Sequence, residues 1–123
     1  LPSLLRSQKL QKKAASHGFD WDKISSVFDK LDEEIAEFKE AVLSRKEEDM
    51  SEELGDILFV LVNIAKFNKI DAEEALRNTN NKFITRFQHI EVEVTKRGKT
   101  LKETPLEELE QYWQDAKGDK SSS

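Results

Sequence analysis

Cysteine is absent from the 123 residues, which excludes disulfides and thiolate metal sites. Glycine occurs four times and proline twice. With so few residues suited to tight turns, a β-rich fold is not expected. Histidine is confined to His17 and His89, too little for an ordinary zinc site. Positive charge is not in excess: 20 Lys and Arg face 25 Asp and Glu, a formal net charge of −5. A nucleic-acid binder normally carries a basic stripe, so no nucleic-acid partner is expected. Long apolar runs are missing too. The longest, Ile57 to Val62, falls far short of the ~20 residues that span a bilayer. Leu1 to Ser16 contains Arg6, Lys9, Lys12 and Lys13 and no continuous apolar stretch, unlike a secretory signal. A cytoplasmic protein with no membrane association is the expectation. The chain begins at Leu1 rather than methionine, as a piece of a longer protein would.

What is present points to helices. Apolar and charged residues each make up 37%, a balance typical of helical proteins with charged outer faces. The spacing and punctuation predict about five helices in a single domain over residues 1–117, followed by a disordered tail over 118–123. The first helix is expected over Ser3 to Ser16, stopped by Gly18 in a left-handed conformation. Asp20 or Asp22 is a candidate cap for the second, which should reach about Lys46. Asp49-Met50-Ser51-Glu52 has the spacing of a capping box and opens the third, to near Asn68. Asp71-Ala72-Glu73-Glu74 repeats that pattern and opens a long fourth helix to about Lys96, stopped by Gly98. Thr104-Pro105-Leu106-Glu107 places a cap residue and then proline at the first helical position of a last helix, to about Lys117.

The second and third helices carry the most information. Ile24, Phe28, Leu31, Ile35, Phe38 and Val42 recur at alternating spacings of four and three, one apolar stripe that would also serve as a short coiled-coil seam. Leu54, Ile57, Leu58, Phe59, Val60, Leu61, Val62, Ile64 and Ala65 leave the third helix almost no polar face. A helix apolar all round is buried all round, and five helices of this size can hardly enclose it, so a partner subunit is expected to cover one side.

Acids interrupt these two helices at regular spacing. Glu34 and Glu37 share a strip of the second with Lys30 and Ala41, beside the apolar stripe. Glu53 and Asp56 lie one turn apart on the third. A short connection near Arg45 to Glu48 favours an antiparallel hairpin, in which the four carboxylates converge. Two unit charges ~4 Å apart repel by about 4 kcal/mol at an effective dielectric of ~20, so such a cluster needs protons or cations. Oxygen-only ligands select hard ions such as Mg²⁺ or Mn²⁺. Acidic pairs at this spacing are also common on solvated helix faces, and periodicity does not choose between the two readings.

Longer motifs add to this. Glu33-Glu34-Ile35-Ala36-Glu37 reads as E-E-x-x-E and Glu53-Leu54-Gly55-Asp56 as E-x-x-D. Together they resemble the MazG-type all-α nucleotide pyrophosphohydrolases. Leu1-Pro2-Ser3-Leu4-Leu5 and Gly18-Phe19-Asp20-Trp21 look like the opening of the second, catalytic domain of two-domain MazG proteins. Glu52-Glu53-Leu54-Gly55-Asp56-Ile57-Leu58-Phe59 is similar to its most characteristic segment. Asn80-Asn81-Lys82-Phe83 with Arg86-Phe87 resembles an N-x-K-F-x-x-R-F stretch, and Trp113 with Lys117 its closing motif.

The resemblance implies a helical bundle completed by dimerisation, or by a higher oligomer. It implies Mg²⁺-dependent hydrolysis of NTPs or dNTPs to the monophosphate and pyrophosphate, with Mn²⁺ as a possible substitute ion. Carried over by position, Glu34, Glu37, Glu53 and Asp56 are the metal ligands and catalytic centre. Lys82 and Arg86 hold phosphates, and Lys30, Glu52, Trp113 and Lys117 are further nucleotide contacts. Glu33 or Glu52 could assist the attacking water. The best-known members carry an N-terminal domain ahead of the matching one, which leaves both a cut piece and a natural single-domain form open.

Plainer readings stand beside these. Lys82 and Arg86 could lie on a solvated face, and a tryptophan between Leu109 and Ala116 is more often core than ligand contact. Phe19 and Trp21 fit a hydrophobic staple at a helix entry, and His17 and His89 fit the surface. Asn63 could face a partner or orient a metal ligand. Competing functions are a non-enzymatic helical dimer scaffold and a related pyrophosphohydrolase specialised for dUTP, dCTP or phosphoribosyl-ATP.

Overall fold

The structure is a computed structural model that describes residues 2–118. Its regular elements are all helical: α1 (Ser3–Ser16), α2 (Ile24–Ser44), α3 (Glu47–Phe67), α4 (Ala72–Lys96) and α5 (Leu106–Gly118). The all-α class and the five expected helices are therefore present. Gly118 closes α5, and the rest of the expected disordered tail lies outside the described residues. No helix among the described residues is long and apolar enough to cross a membrane.

The stops fall where glycine permits them. Gly18 (φ 84°) and Gly98 (φ 68°) both adopt left-handed backbone just past a helix, a conformation that L side chains resist. The starts differ more from expectation. Neither Asp20 nor Asp22 caps α2, whose flanking residue Lys23 is extended and makes no side-chain cap bond. Asp20 is engaged elsewhere: one oxygen accepts from the Trp21 N–H at 2.8 Å, and the other meets Lys66 Nζ at 2.6 Å. The Lys66 hydrogen bond holds the Asp20 carboxyl below its usual pKa. α3 begins at Glu47, ahead of the capping-box pattern, with Glu47, Glu48 and Asp49 in its first turn. Three carboxylates there complement the positive end of the helix dipole and extend it backwards. At α5, the Thr104 hydroxyl donates to the Thr100 carbonyl at 2.8 Å.

The helices form two compact units, Leu1–Ala75 and Leu76–Ser123, with the division inside α4. In the first, α2 packs on α3 and α1 packs on α3. The α2–α3 connection is only Arg45 and Lys46. Arg45 is left-handed (φ 55°), and its N–H and that of Lys46 bond back to the Val42 and Ala41 carbonyls. Left-handed backbone costs a non-glycine residue about 1 kcal/mol, offset by those two satisfied carbonyls.

The buried line of α2 is Val27, Glu34 and Ala41, seven residues apart. The expected stripe only flanks it: Ile24, Leu31, Ile35 and Phe38 are half-buried, and Phe28 and Val42 are exposed. Glu34 thus lies on the strip that α2 buries, between two apolar residues. On α3, Val60 and Val62 are buried while Leu54, Leu58, Phe59 and Leu61 each remain nearly half exposed.

A buried glutamine ties α1 to the start of α4. Gln8 Nε2 donates to Asp71 Oδ1 at 3.1 Å, and its Oε1 accepts from the Ala72 N–H at 3.3 Å. Asp71 Oδ1 also accepts from the Glu74 N–H at 3.1 Å, the capping bond expected from the sequence.

The second unit has a small core of Ile90, Val94 and Tyr112, with Leu101, Leu109 and Trp113 packed against it. The Arg97 guanidinium lies 4.8 Å from the Tyr112 ring centroid and 2.8 Å from Glu93 Oε2.

Candidate functional site

The short α2–α3 link places the strip of Glu34 and Glu37 opposite the first turns of α3. Carboxylate oxygens of Glu34, Glu37 and Glu53 lie within 4.8 Å of one another. Glu34 is buried at 5% exposure, Glu53 is half-buried and Glu37 is exposed, so the cluster runs from the helix interface out to solvent. Among the described residues this is the group of acids close enough to share a cation, and Asp56 does not join it. Asp56 sits one turn beyond Glu53 and is exposed.

Electrostatics in the cluster are incompletely balanced. Lys30, one turn before Glu34, brings Nζ to 2.9 Å from Glu34 Oε1 and 3.7 Å from Glu33 Oε1. Its hydrogen bond to Glu34 raises the Lys30 pKa above the ordinary lysine value. Glu34 Oε2 and Glu53 Oε2 are buried without hydrogen-bond partners. Burial, then the closeness of the Glu37 and Glu34 carboxylates, pushes the Glu53 carboxyl up to about 7. A proton thus does part of what a cation would do. An all-oxygen donor set with two orphaned buried oxygens fits a hard divalent ion such as Mg²⁺.

The basic and aromatic candidates lie in the second unit. Lys82 is exposed and Arg86 half-buried on α4. The Arg86 guanidinium stands 5.3 Å from the Trp113 ring centroid, and Trp113 also meets Phe83 at 5.6 Å between centroids. Phe83 stacks on Phe87 at 5.8 Å. Trp113 is therefore packed against the small core and fixes Arg86 at the same time. Glu52 and Lys117 are exposed.

Other residues differ from the sequence reading. Phe19 is 82% exposed, so it does not bury the surface that a staple would, and Trp21 instead lines a cavity of the first unit. His17 is exposed, as expected, while His89 is half-buried. Asn63 lines the same cavity, with its Oδ1 buried and without a hydrogen-bond partner. Gln11 is not singled out by the sequence, yet it is buried in this cavity wall. The available signal is its position: Leu4, Gln8, Gln11 and Ala15 follow helical spacing along the inner face of α1, where two glutamines are out of place.

Comparison with known proteins agrees with this geometry. The chain is 41% identical over 118 residues to the nucleoside triphosphate pyrophosphohydrolase/pyrophosphatase MazG of Thermotoga maritima, covering 96% of this chain and 45% of that one. It is 41% identical over 121 residues to the nucleoside triphosphate pyrophosphohydrolase of Escherichia coli K12, covering 95% and 45%. It is 46% identical over 71 residues to the uncharacterized protein YabN of Bacillus subtilis, covering 58% and 14%. The chain thus spans somewhat under half the length of the first two. The MazG nucleotide pyrophosphohydrolase domain matches residues 23–91, more than half of the chain and all of the two carboxylate-bearing helices. The chain belongs to the MazG nucleotide pyrophosphohydrolase domain family.

Proposed function

We propose that this chain is a Mg²⁺-dependent nucleoside triphosphate pyrophosphohydrolase, releasing pyrophosphate from NTPs or dNTPs and leaving the monophosphate. The observation that carries the reading is the gathering of Glu34, Glu37 and Glu53 oxygens within 4.8 Å on the matched helices. Two of the carboxylate oxygens of this cluster are buried without partners. The names of the Thermotoga and Escherichia relatives support the same activity.

In this reading Glu34, Glu37 and Glu53 hold the ion, and Asp56 is assigned to it on the resemblance of its motif alone. Mg²⁺, when bound, supplies charge neutralisation for phosphate oxygens and a water nucleophile at neutral pH. The protein's own part is to fix the carboxylates. Lys30 holds Glu34 Oε1 at 2.9 Å and would steady this carboxylate for the ion, a support that typically matters roughly 10–100-fold in metal affinity. Glu33 and Glu52 neighbour the ligands in sequence, and one of the two is the candidate to accept a proton from the attacking water. Lys82 and Arg86 are assigned to phosphate oxygens, and Trp113 and Lys117 to the nucleotide, on the resemblance of their motifs.

The half-exposed apolar surface of α3, Leu54, Leu58 and Leu61, supports a homodimer or larger assembly that covers it. The expected location is the cytoplasm.

A panel of the eight common NTPs and dNTPs with Mg²⁺ or Mn²⁺, read by pyrophosphate release, tests the function. Release from at least one is expected. Release from none, with no stabilisation by Mg²⁺ plus nucleotide in a melt, overturns the enzyme reading and leaves a helical scaffold.

A further inference from the structure

The link between α1 and α2, residues 17–23, forms one wall of a cavity of about 500 Å³, to which Phe19, Asp20 and Trp21 contribute together with Lys30, Phe59 and Lys66. Little apolar burial holds this link, since Phe19 is 82% exposed and Trp21 40%. Its start is tied to the end of α1, where the Gly18 and Phe19 N–H groups bond to the Ala15 and Ala14 carbonyls at 2.9 and 3.0 Å. The next tie is a single carboxylate. Asp20 Oδ2 meets Lys66 Nζ at 2.6 Å, and Oδ1 accepts from the Trp21 N–H at 2.8 Å. Among the described residues this is the ion pair that joins the link to α3.

The pair is suited to setting position rather than to adding stability. The Lys66 side chain is 12% exposed and that of Asp20 30%, so both charges give up much of their hydration, a loss that largely offsets the attraction between them. Lys66 is itself well placed. Its ammonium lies 5.1 Å from the Phe67 ring centroid. On its far side it lines a smaller cavity with Lys12, Lys69 and Asp71, where Asp71 Oδ1 is taken by Gln8 and the Glu74 N–H. Because the two Asp20 oxygens divide between Lys66 and the Trp21 backbone, the place of Lys66 on α3 sets the place of Trp21 on the cavity wall. Lys30 lines the same cavity and reaches Glu34 at 2.9 Å, so a nucleotide held at the carboxylates lies beside this wall.

We propose that Asp20 and Lys66 are positioning residues for the hydrolysis: their ion pair latches the Trp21 turn to α3 and keeps the cavity wall in the shape that admits the nucleotide. The latch acts on capture of the substrate and leaves the chemical step at the carboxylates unchanged. This rests on the pyrophosphohydrolase reading for what enters the site, and adds which distant pair holds the site in shape.

The test compares Asp20→Asn and Lys66→Met, alone and together, with Lys66→Arg, which keeps the charge. Each single loss is expected to raise KM for the best nucleotide about tenfold and to leave kcat within about twofold. Lys66→Arg is expected to stay within about threefold of the wild-type chain in KM. The double variant is expected to lose the same factor of about ten, because a single pair is broken in all three. A rise of about a hundredfold in the double variant shows two independent roles and overturns the proposal. An unchanged KM, or a loss confined to kcat, overturns it as well. Asp20→Asn alone carries the test if Lys66→Met does not fold. A second readout needs neither nucleotide nor metal. In the full ¹⁵N-labelled chain, Asp20→Asn is expected to shift and broaden the Trp21 indole resonance and to leave that of Trp113 in place. A Trp21 resonance identical to that of the wild-type chain overturns the latch. The two readings fail separately: pyrophosphate release from no nucleotide overturns the enzyme reading, and the Trp21 resonance then decides the latch by itself.

Discussion

In the second unit Glu93 sits 2.8 Å from Arg97 and 3.5 Å from Lys96, and the Arg97 hydrogen bond holds its carboxyl below the usual range. In the first unit Glu53 lies among other glutamates, and burial with the Glu37 charge pushes it up to about 7. Both are helical glutamates at the edge of a packed face, yet their ionised forms meet opposite fates. The Glu93 arrangement favours folding, because its charge is matched by Lys96 at the end of its own helix and by Arg97 just past it. The Glu53 arrangement opposes folding of the charged form and is relieved when a cation arrives. Unmatched like charges held together by a hairpin point to binding rather than to stability.

The sharpest way to break this contrast is to neutralise each glutamate. Glu53→Gln should reduce pyrophosphate release by about a thousandfold, the loss expected when metal-assisted charge stabilisation of several kcal/mol is removed. Helical content by circular dichroism should stay native. Glu93→Gln should leave the rate within about twofold, as for a largely structural pair. Equal effects on rate would erase the distinction.

The converse applies to stability. Ile90→Ala, in the small core of the second unit, should cost about 2–4 kcal/mol in a urea melt. Glu53→Gln should cost nothing in the absence of metal at pH 8 and is expected to raise the melting temperature there.

The pH dependence sharpens the same point. Because the folded Glu53 pKa of about 7 exceeds its ordinary value of 4.5, the folded chain binds more protons than the unfolded chain between those values. The contribution of this group is therefore fully present below about pH 4.5 and is lost as pH rises through 7. Mg²⁺ should restore what is lost, with a larger rise in melting temperature at pH 8 than at pH 5.5. At a hundredfold its dissociation constant the ion adds about 2.7 kcal/mol. A rise independent of pH would show that Glu53 is not at the binding site. The smallest effect is expected at the α4 start, where Asp71→Ala should cost about 1 kcal/mol in the same melts.

Much of this architecture is legible in the sequence because its determinants are local. Gly18 and Gly98 end helices through backbone freedom, and Asp71 starts one through a bond to a residue three positions on. Glu34, Glu37 and Glu53 can be placed together because helical spacing and a short link leave few other arrangements. The buried face of α2 is less legible. Periodicity picks out the flanking stripe, whereas the strip that is buried is Val27, Glu34 and Ala41. Asp20 reads as a helix cap because its true partner, Lys66, lies far along the chain. Gln11 escapes notice for the same reason: its bond to the Phe59 carbonyl is a tertiary contact, and nothing near it in sequence signals an anchored amide.

The two-residue link of Arg45 and Lys46 has a consequence for how this domain can vary. Glu37 and Glu53 stand eight positions either side of Arg45, so the carboxylates are brought together by counting outward from the turn. Most surface connections accept added residues at small cost. Here one added residue shifts α3 by one position relative to α2, a rotation of about 100°, and turns Glu53 away from Glu37. Such a length variant is expected to keep its helices and lose its response to Mg²⁺ in a melt. The domain can therefore tolerate changes in the identity of its turn residues, but not in their number.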